Sequence, residues 1–334
     1  MAALGRSHAL GALAAITLVA CKRGQTHTST EVGWSDRSPH AVRTVAVNGV
    51  RLQVLDWGGS GDGLVFIHGL GDSPHAFDDI APAFTDRFRV IAYARRSHGR
   101  SQFVPGPLDN ATLVEDLRQL LDSLGIRRAA LAGWSMAGNE ISRFAELHPE
   151  RTAALVYLDS GYDWSDTTSV RLFNAFPANW TSGAADKASL DHFRAWWTRT
   201  FWPGGQLTPP AEAEVRDVAH IGADGRVTVP TDAAMDALFA SILGHRRDYA
   251  RIQAPALAIY CDYFIPPEQP DSARAVVAAW NEEFAQFRRR SRDRLQREST
   301  GSVRVHHLAG VQHMAILWTA RDTLVTLMRD FLTR

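Results

Sequence analysis

Apolar residues recur along this chain in two rhythms, one of short alternating or continuous runs and one of helical spacing. Val42 to Val47 and Val50 to Trp57 predict two strands joined through Asn48-Gly49, a dipeptide that tolerates the positive φ of a tight hairpin turn. Leu64-Val65-Phe66-Ile67 and the run RVIAYA from Arg89 to Ala94 are short and apolar, as expected of strands covered on both faces. From Thr112 a helix is expected: Thr112 and Glu115 read as a capping box, Leu113, Leu117, Leu120, Leu121 and Leu124 share one face, and Gly125 ends it. A strand over Ala129 to Ala132, a helix over Ser135 to Leu147, a strand over Leu155 to Leu158 and, much later, a strand over Ala256 to Tyr260 continue the alternation. A long helix over 271–299, a strand over Val303 to Leu308 and a helix over Asp322 to Leu332 complete it. Repeated strand-helix-strand units predict an α/β fold with a mostly parallel central sheet flanked by helices, because parallel strands require crossovers. Functional groups in such sheets gather beyond the carboxyl ends of the strands.

Between Asp159 and about Arg251 the alternation lapses, and Trp164, Trp180, Trp196, Trp197 and Trp202 fall in that stretch. A cap inserted after the sixth strand, over about residues 160–250, is the expected cause. Its aromatic residues either roof an apolar substrate pocket or pack the insertion onto the body, and the sequence leaves both open. Late in the long helix come Arg288, Arg289, Arg290, Arg292, Arg294 and Arg297. Cations there complement the helix dipole and read as a solvated face, with membrane or partner contact as the lesser alternative. There is no internal repeat.

The chain begins differently. Arg6 and His8 precede an apolar run from Ala9 to Ala20 that is short for a bilayer span, which is signal-peptide anatomy. Leu18-Val19-Ala20-Cys21 resembles the bacterial lipobox, and the resemblance implies a diacylglycerol on Cys21 and an exported protein anchored to the cell envelope. Lys22 stands where an Asp would mark inner-membrane retention, so the outer membrane, facing the periplasm, is implied. An ordinary cleaved signal or a buried N-terminal helix are the alternatives. Residues 21–40 are polar, aperiodic and rich in Ser and Thr, as a flexible tether would be. The expected organisation is a signal peptide over 1–20, a tether over 21–40 and a folded body over 41–334. With Cys21 lipidated, Cys261 has no partner and no disulfide framework forms.

Charge adds little: 36 basic and 36 acidic residues balance, so nothing points to nucleic acid or to an anionic membrane surface. Lysine occurs only at positions 22 and 187, neither placed to serve a Ser-Lys pair. The glycines at 58, 59, 61 and 63 precede a strand instead of following one, and no His-Glu-x-x-His string is present, so no nucleotide cofactor and no metal are expected.

The chemistry-bearing motif is Gly133-Trp134-Ser135-Met136-Ala137-Gly138, set between an expected strand and an expected helix. This context describes a nucleophile elbow, where small residues two before and two after the serine let strand and helix approach. Alanine takes the second small position, where glycine is more usual. His68-Gly69-Leu70-Gly71 follows an early central strand, and Arg95-Arg96-Ser97-His98-Gly99-Arg100-Ser101 follows the next one. Together these segments resemble the α/β-hydrolase family, although the leading Asp of the latter turn is absent. The resemblance implies that fold with a helical cap, and it implies an oxyanion hole from the backbone N–H groups of Leu70 and Met136. It makes His68 structural and places the general base on the loop after the last strand, at His313, with His306 and His307 as rivals inside that strand.

By the same resemblance the triad acid usually follows the penultimate strand, where this chain reads Tyr260-Cys261-Asp262-Tyr263-Phe264, with Phe264 at the acid's customary place. A minority of the family takes the acid from the strand before the cap, which here ends in Asp159. Asp159 is therefore favoured and Asp262 is the alternative. Cys261 reads as packing at a strand end. The expected function is hydrolysis of a carboxylic ester of a small, apolar acyl substrate through an acyl-enzyme, with Ser135 as nucleophile. A lactonase, amidase, carbon-carbon hydrolase, acyltransferase or perhydrolase, or a non-catalytic binding protein of this fold, remain as alternatives. Oligomeric state is left open.

Overall fold

The computed structural model describes residues 34–106, 108–243 and 246–333, with the backbone alone at 233–236. The expected signal peptide, Cys21 and the tether as far as residue 33 lie outside the described residues. A compact unit begins at Asp36. Residues 36–40, expected in the tether, are packed onto it, because the Ser38 hydroxyl donates to Asp78 at 2.7 Å and His40 sits against the same carboxylate.

The first two strands, β1 (Ala41–Val47) and β2 (Val50–Gly58), pair antiparallel. Asn48 and Gly49 at their turn take the positive φ values of 43° and 76° that the dipeptide foretold. There follow β3 (Gly63–Ile67), β4 (Arg89–Tyr93), α1 (Asn110–Ser123), β5 (Ala129–Trp134), α2 (Ala137–Leu147) and β6 (Thr152–Leu158). The cap then carries α3 (Thr167–Asn174), α4 (Leu190–Phe201), α5 (Pro209–Val218), a two-stranded ribbon of β7 (His220–Ile221) and β8 (Val227–Thr228), and α6 (Asp232–Leu243). The body resumes with β9 (Ala256–Tyr263), α7 (Asp271–Glu298), β10 (Val303–Gln312), α8 (Ile316–Thr319) and α9 (Arg321–Leu332). The sheet runs β1-β2-β4-β3-β5-β6-β9-β10 and is parallel from β4 to β10.

Side-chain alternation explains why the central strands are apolar throughout. In β3, Val65 and Ile67 enter a core shared with Leu117 and Leu121 of α1 and with Ile141 and Phe144 of α2. Leu64 and Phe66 point the other way, into a core shared with Phe77, Phe84 and, from α9, Leu324 and Met328. Full burial of each such side chain contributes about 1.5–3 kcal/mol, so a strand between two helical layers has no room for polar positions. The cap holds a small core of its own around Phe193, Trp197 and Val215.

Three local expectations are corrected. Helix α1 starts before Thr112, and Asp109 is its N-cap, accepting from the Thr112 amide at 2.8 Å, while Glu115 pairs with Arg118. The last strand extends to Gln312 through a register shift after Leu308, so part of the expected loop is strand. The arginines of α7 do not form one solvated face. Arg288 donates to the carbonyls of Cys261 and Asp262, and Arg294 joins Asp163, Glu298 and the Arg247 carbonyl, tying the helix to the end of β9 and to the cap's base. No helix among the described residues is long and apolar enough to cross a membrane.

Candidate active site

Between β5 and α2 the chain reverses at Ser135, whose φ of 56° lies in the left-handed region that L-residues avoid. The turn is held at several points. The Ser135 amide donates to the Leu158 carbonyl at 3.2 Å, and a Cβ added at Gly133 would sit 3.0 Å from Ala137. A Cβ at Gly138 would lie 1.9 Å from the Ser160 carbonyl oxygen, a contact no side chain survives. The Ser160 hydroxyl donates to the Gly133 carbonyl at 2.7 Å, so the ends of β5 and β6 are fastened to each other. The Ser-containing turn and the residue after β6 are thereby set in one frame.

Asp159 is that residue, and it too has a positive φ, 47°. It is 1% exposed, and its Oδ2 lies 2.6 Å from His313 Nδ1, while His313 Nε2 lies 2.8 Å from Ser135 Oγ. An ionised carboxylate only accepts hydrogen bonds, so Nδ1 carries the proton and the Nε2 lone pair faces the Ser135 hydroxyl. Burial pushes the Asp159 carboxyl up, but the His313 N–H, the Tyr162 hydroxyl at 2.5 Å and the Cys261 amide at 2.9 Å outweigh it and hold the group below the usual carboxylate range. Burial and the same carboxylate push the Cys261 thiol well up, which leaves it an inert packing group.

His313 arrives on the segment after β10. The Trp134 indole N–H donates to its carbonyl at 3.3 Å, and the Phe264 ring stacks on the imidazole at 4.1 Å between centroids. Phe264, at the place where the resemblance expected an acid, therefore packs against the face of His313. Asp262 is turned elsewhere: it accepts from the Gly310 amide at 2.5 Å and pairs with His307 at 3.0 Å. His306 and His307 are exposed on β10.

Leu70 and Met136 both line the cavity in front of Ser135, and neither backbone amide donates to another group among the described residues. The loop of Leu70 is braced from behind. His68 is fully buried, with Nδ1 against the Gly69 carbonyl at 2.8 Å and Nε2 accepting the Arg95 amide at 3.2 Å. Burial, then the neighbouring Arg95 and His98, keep its pKa well below that of an ordinary imidazole, so it is a neutral strut. Arg95 donates to Glu140 of α2 at 2.6 Å and to the Gly69 carbonyl at 3.2 Å, joining the two segments that carry Leu70 and Met136.

The cavity measures about 280 Å3 and is walled by Trp164, Phe173, Phe176, Trp180, Trp196, Trp197 and Phe264. The tryptophans thus divide between the two roles left open. Trp202 stacks on Trp318 of the body at 5.7 Å instead of facing the cavity, and Trp196 and Trp197 serve both as wall and as cap core. Several site residues carried no signal in the sequence. Asp72 lines the cavity, and Glu214 of α5 accepts from the Ser73 amide and hydroxyl at 2.8 and 2.6 Å, a contact between residues 141 positions apart. Trp134 lies within the serine motif and Tyr162 three residues after Asp159, so both stand beside residues that the sequence marks.

A family model described as the alpha/beta hydrolase fold matches residues 63–201. A Mycobacterium phage D29 protein named as a non-heme haloperoxidase is 41% identical over 121 residues, covering 35% of this chain and 42% of that protein. A non-heme chloroperoxidase of Kitasatospora aureofaciens is 38% identical over 102 residues, covering 30% of this chain and 37% of the relative. The matches thus span less than half the length of these relatives. The crystal structure of E-2-(acetamidomethylene)succinate hydrolase superposes with a TM-score of 0.65 at 18% identity, over 87% of this chain and 98% of that one. The sheet order, the inserted cap and these likenesses agree that the chain has the α/β-hydrolase fold.

Proposed function

We propose that the protein is a serine hydrolase that cleaves a carboxylic ester with an apolar acyl group. The observation that carries this reading is the relay from Ser135 Oγ through His313 to Asp159, at 2.8 and 2.6 Å, opening on an aromatic-walled cavity. In this mechanism Ser135 Oγ attacks the acyl carbonyl carbon while His313 Nε2 takes the hydroxyl proton. The carbonyl oxygen becomes an oxyanion held by the Leu70 and Met136 amides, each supplying about 3 kcal/mol of transition-state stabilisation. The imidazolium, steadied by Asp159, returns its proton to the departing alkoxide as the carbon-oxygen bond breaks. Water, deprotonated by the same imidazole, then attacks the acyl-enzyme, and the acid and free Ser135 are released. Asp159 is the preferred acid because Asp262 is engaged by His307 and Gly310.

The test has two parts. A fluorophosphonate probe should label the folded wild-type protein and not Ser135→Ala, and p-nitrophenyl esters of graded acyl length should be turned over by the former alone. Absence of labelling, or equal labelling of both, would replace the enzyme by a binding protein of the same fold. The haloperoxidase names of two relatives favour a second reading, in which hydrogen peroxide replaces water and releases a peroxyacid from the acyl-enzyme. Peroxide-dependent halogenation of monochlorodimedone with acetate present, lost in Ser135→Ala, would select it.

The lipobox-like string supports export and anchoring through a lipid on Cys21. Cys21→Ser should move the protein from the membrane to the soluble fraction, and unchanged partitioning would reject the anchor.

A further inference from the structure

Away from the reactive cleft, Asp36, His40, His75 and Asp78 bring one ligand-type atom each to within 4.8 Å of one another. His40 Nε2 is 3.2 Å from Asp36 Oδ2 and 3.3 Å from Asp78 Oδ1, and His75 Nδ1 is 2.8 Å from Asp78 Oδ2 and 3.9 Å from Asp36 Oδ2. Asp78 reaches the two imidazoles with different oxygens, and each of these nitrogen–oxygen separations is near the ~3.3 Å between neighbouring ligand atoms about 2.0 Å from a zinc ion.

The inner part of the cluster, His40 and Asp78, is dry, and its direct contacts do not satisfy it. The His40 side chain is 1% exposed and that of Asp78 is fully buried. Yet, among the described residues, both ring nitrogens of His40 and Asp78 Oδ1 have no hydrogen-bond partner. At 3.2–3.3 Å the atoms are close enough to bond, so what fails is direction. Buried imidazole and carboxylate atoms left without partners cost free energy, and a cation within the cluster would satisfy His40 Nε2 and Asp78 Oδ1 together, while Nδ1 on the other side of the ring faces away from it. Two carboxylates and two neutral imidazoles carry the charge that one divalent ion balances. Ser38 supplies the outer support, its hydroxyl donating to Asp78 Oδ2 at 2.7 Å and its amide accepted by Asp36 Oδ1 at 2.9 Å. Asp36, a quarter exposed, gives the ion its way in.

We propose that Asp36, His40, His75 and Asp78 form a structural site for a divalent cation, with zinc as the best match to a ligand set of two imidazoles and two carboxylates. Four protein ligands leave no open position, so the ion holds structure and performs no chemistry. What it holds is specific. Asp36 and His40 lie just before β1, while His75 and Asp78 belong to and follow the short helical turn at Pro74–Phe77, which leads out of the His68–Asp72 loop. The ion would clasp the start of the compact unit to the base of that loop.

The test uses the full chain, purified, stripped with a chelator and dialysed against zinc. We expect one zinc per chain by mass spectrometry of the metal, and a rise in Tm of about 5 °C or more at a hundredfold excess over Kd. Cobalt in its place should give the visible absorption of a tetrahedral ion. Asp36→Asn, at the exposed rim, should weaken binding at least tenfold, and His40→Ala should abolish it. Should His40→Ala fail to fold, Asp36→Asn carries the comparison, with its circular dichroism as the check. Failure to take up zinc, a Tm indifferent to zinc and chelator, or uptake undiminished in Asp36→Asn would each overturn the site.

Discussion

Ser135 and Asp159 share a device: each closes a parallel strand with a left-handed residue that throws its side chain clear of the sheet. Left-handed backbone costs an L-residue about 1 kcal/mol or more, and glycine escapes that cost. Ser135→Gly should therefore melt higher than Ser135→Ala, by about 2–4 °C, although both are inactive. Equal melting temperatures would show that the bend is unstrained. At Asp159 the same conformation recommends asparagine as the test residue, since it tolerates positive φ. Asp159→Asn should lower kcat by about three to four orders of magnitude, while Asp262→Asn should change it little. The reverse ranking would transfer the role to Asp262. Removing Glu140 would strand the fully buried Arg95, and Glu140→Ala should cost about 3–5 kcal/mol in a denaturant titration.

At the scale of elements, α5 meets the body through carboxylates. Burial, opposed by Arg95, pushes Asp72 up to about 7, and burial followed by repulsion from Asp72 pushes Glu214 well up. A carboxyl whose folded pKa is raised binds more protons folded than unfolded. Its favourable share of stability is complete below the ordinary value near 3.8 and is lost as pH rises through about 7. Asp72→Asn, which has no proton to lose, should gain on the wild type in Tm between pH 5 and pH 8. A constant difference would mean that the group titrates normally. Nothing local in the sequence announces this contact, because Ser73 and Glu214 meet only after the cap has folded back. The strands were legible for the opposite reason: β3 and β5 are apolar on both faces wherever they are placed. The cap of α1 was misread because Thr112 and Glu115 fit a local motif that Asp109 fulfils better. Arg289, Arg290 and Arg297 of α7 are solvated as expected, but Arg288 and Arg294 are not, because their partners, the carbonyls of Cys261 and Asp262 and the Asp163 carboxylate, are distant in sequence.

For the molecule as a whole, the proposed hydrolase would draw its range of substrates from the cavity. A space of about 280 Å3 walled by aromatic rings suits an acyl group of moderate length and offers little to a charged one. Trp180 packs against Phe176, Phe201 and Phe264 at the cavity wall, so Trp180→Ala should move the preferred p-nitrophenyl ester toward longer chains. An unchanged optimum would locate the length limit elsewhere. The motifs around Ser135 and His68 could be read in one dimension, but the cavity wall is assembled from α3, α4, α6, the segment between α3 and α4 and the residue after β9, and could not.

The fastening of β5 to β6 sets how this assembly would fail. Ser135 and Asp159 share one rigid floor, whereas His313 is carried at the end of β10, an outermost strand with a kink in its pairing, steadied by Trp134, Phe264 and the Asp262 bond to Gly310. Gentle warming should therefore detach the arm before it disturbs the floor. Catalysis would fade reversibly while the sheet still stands, and deuterium would enter the amides of 309–312 well ahead of those at 133–137.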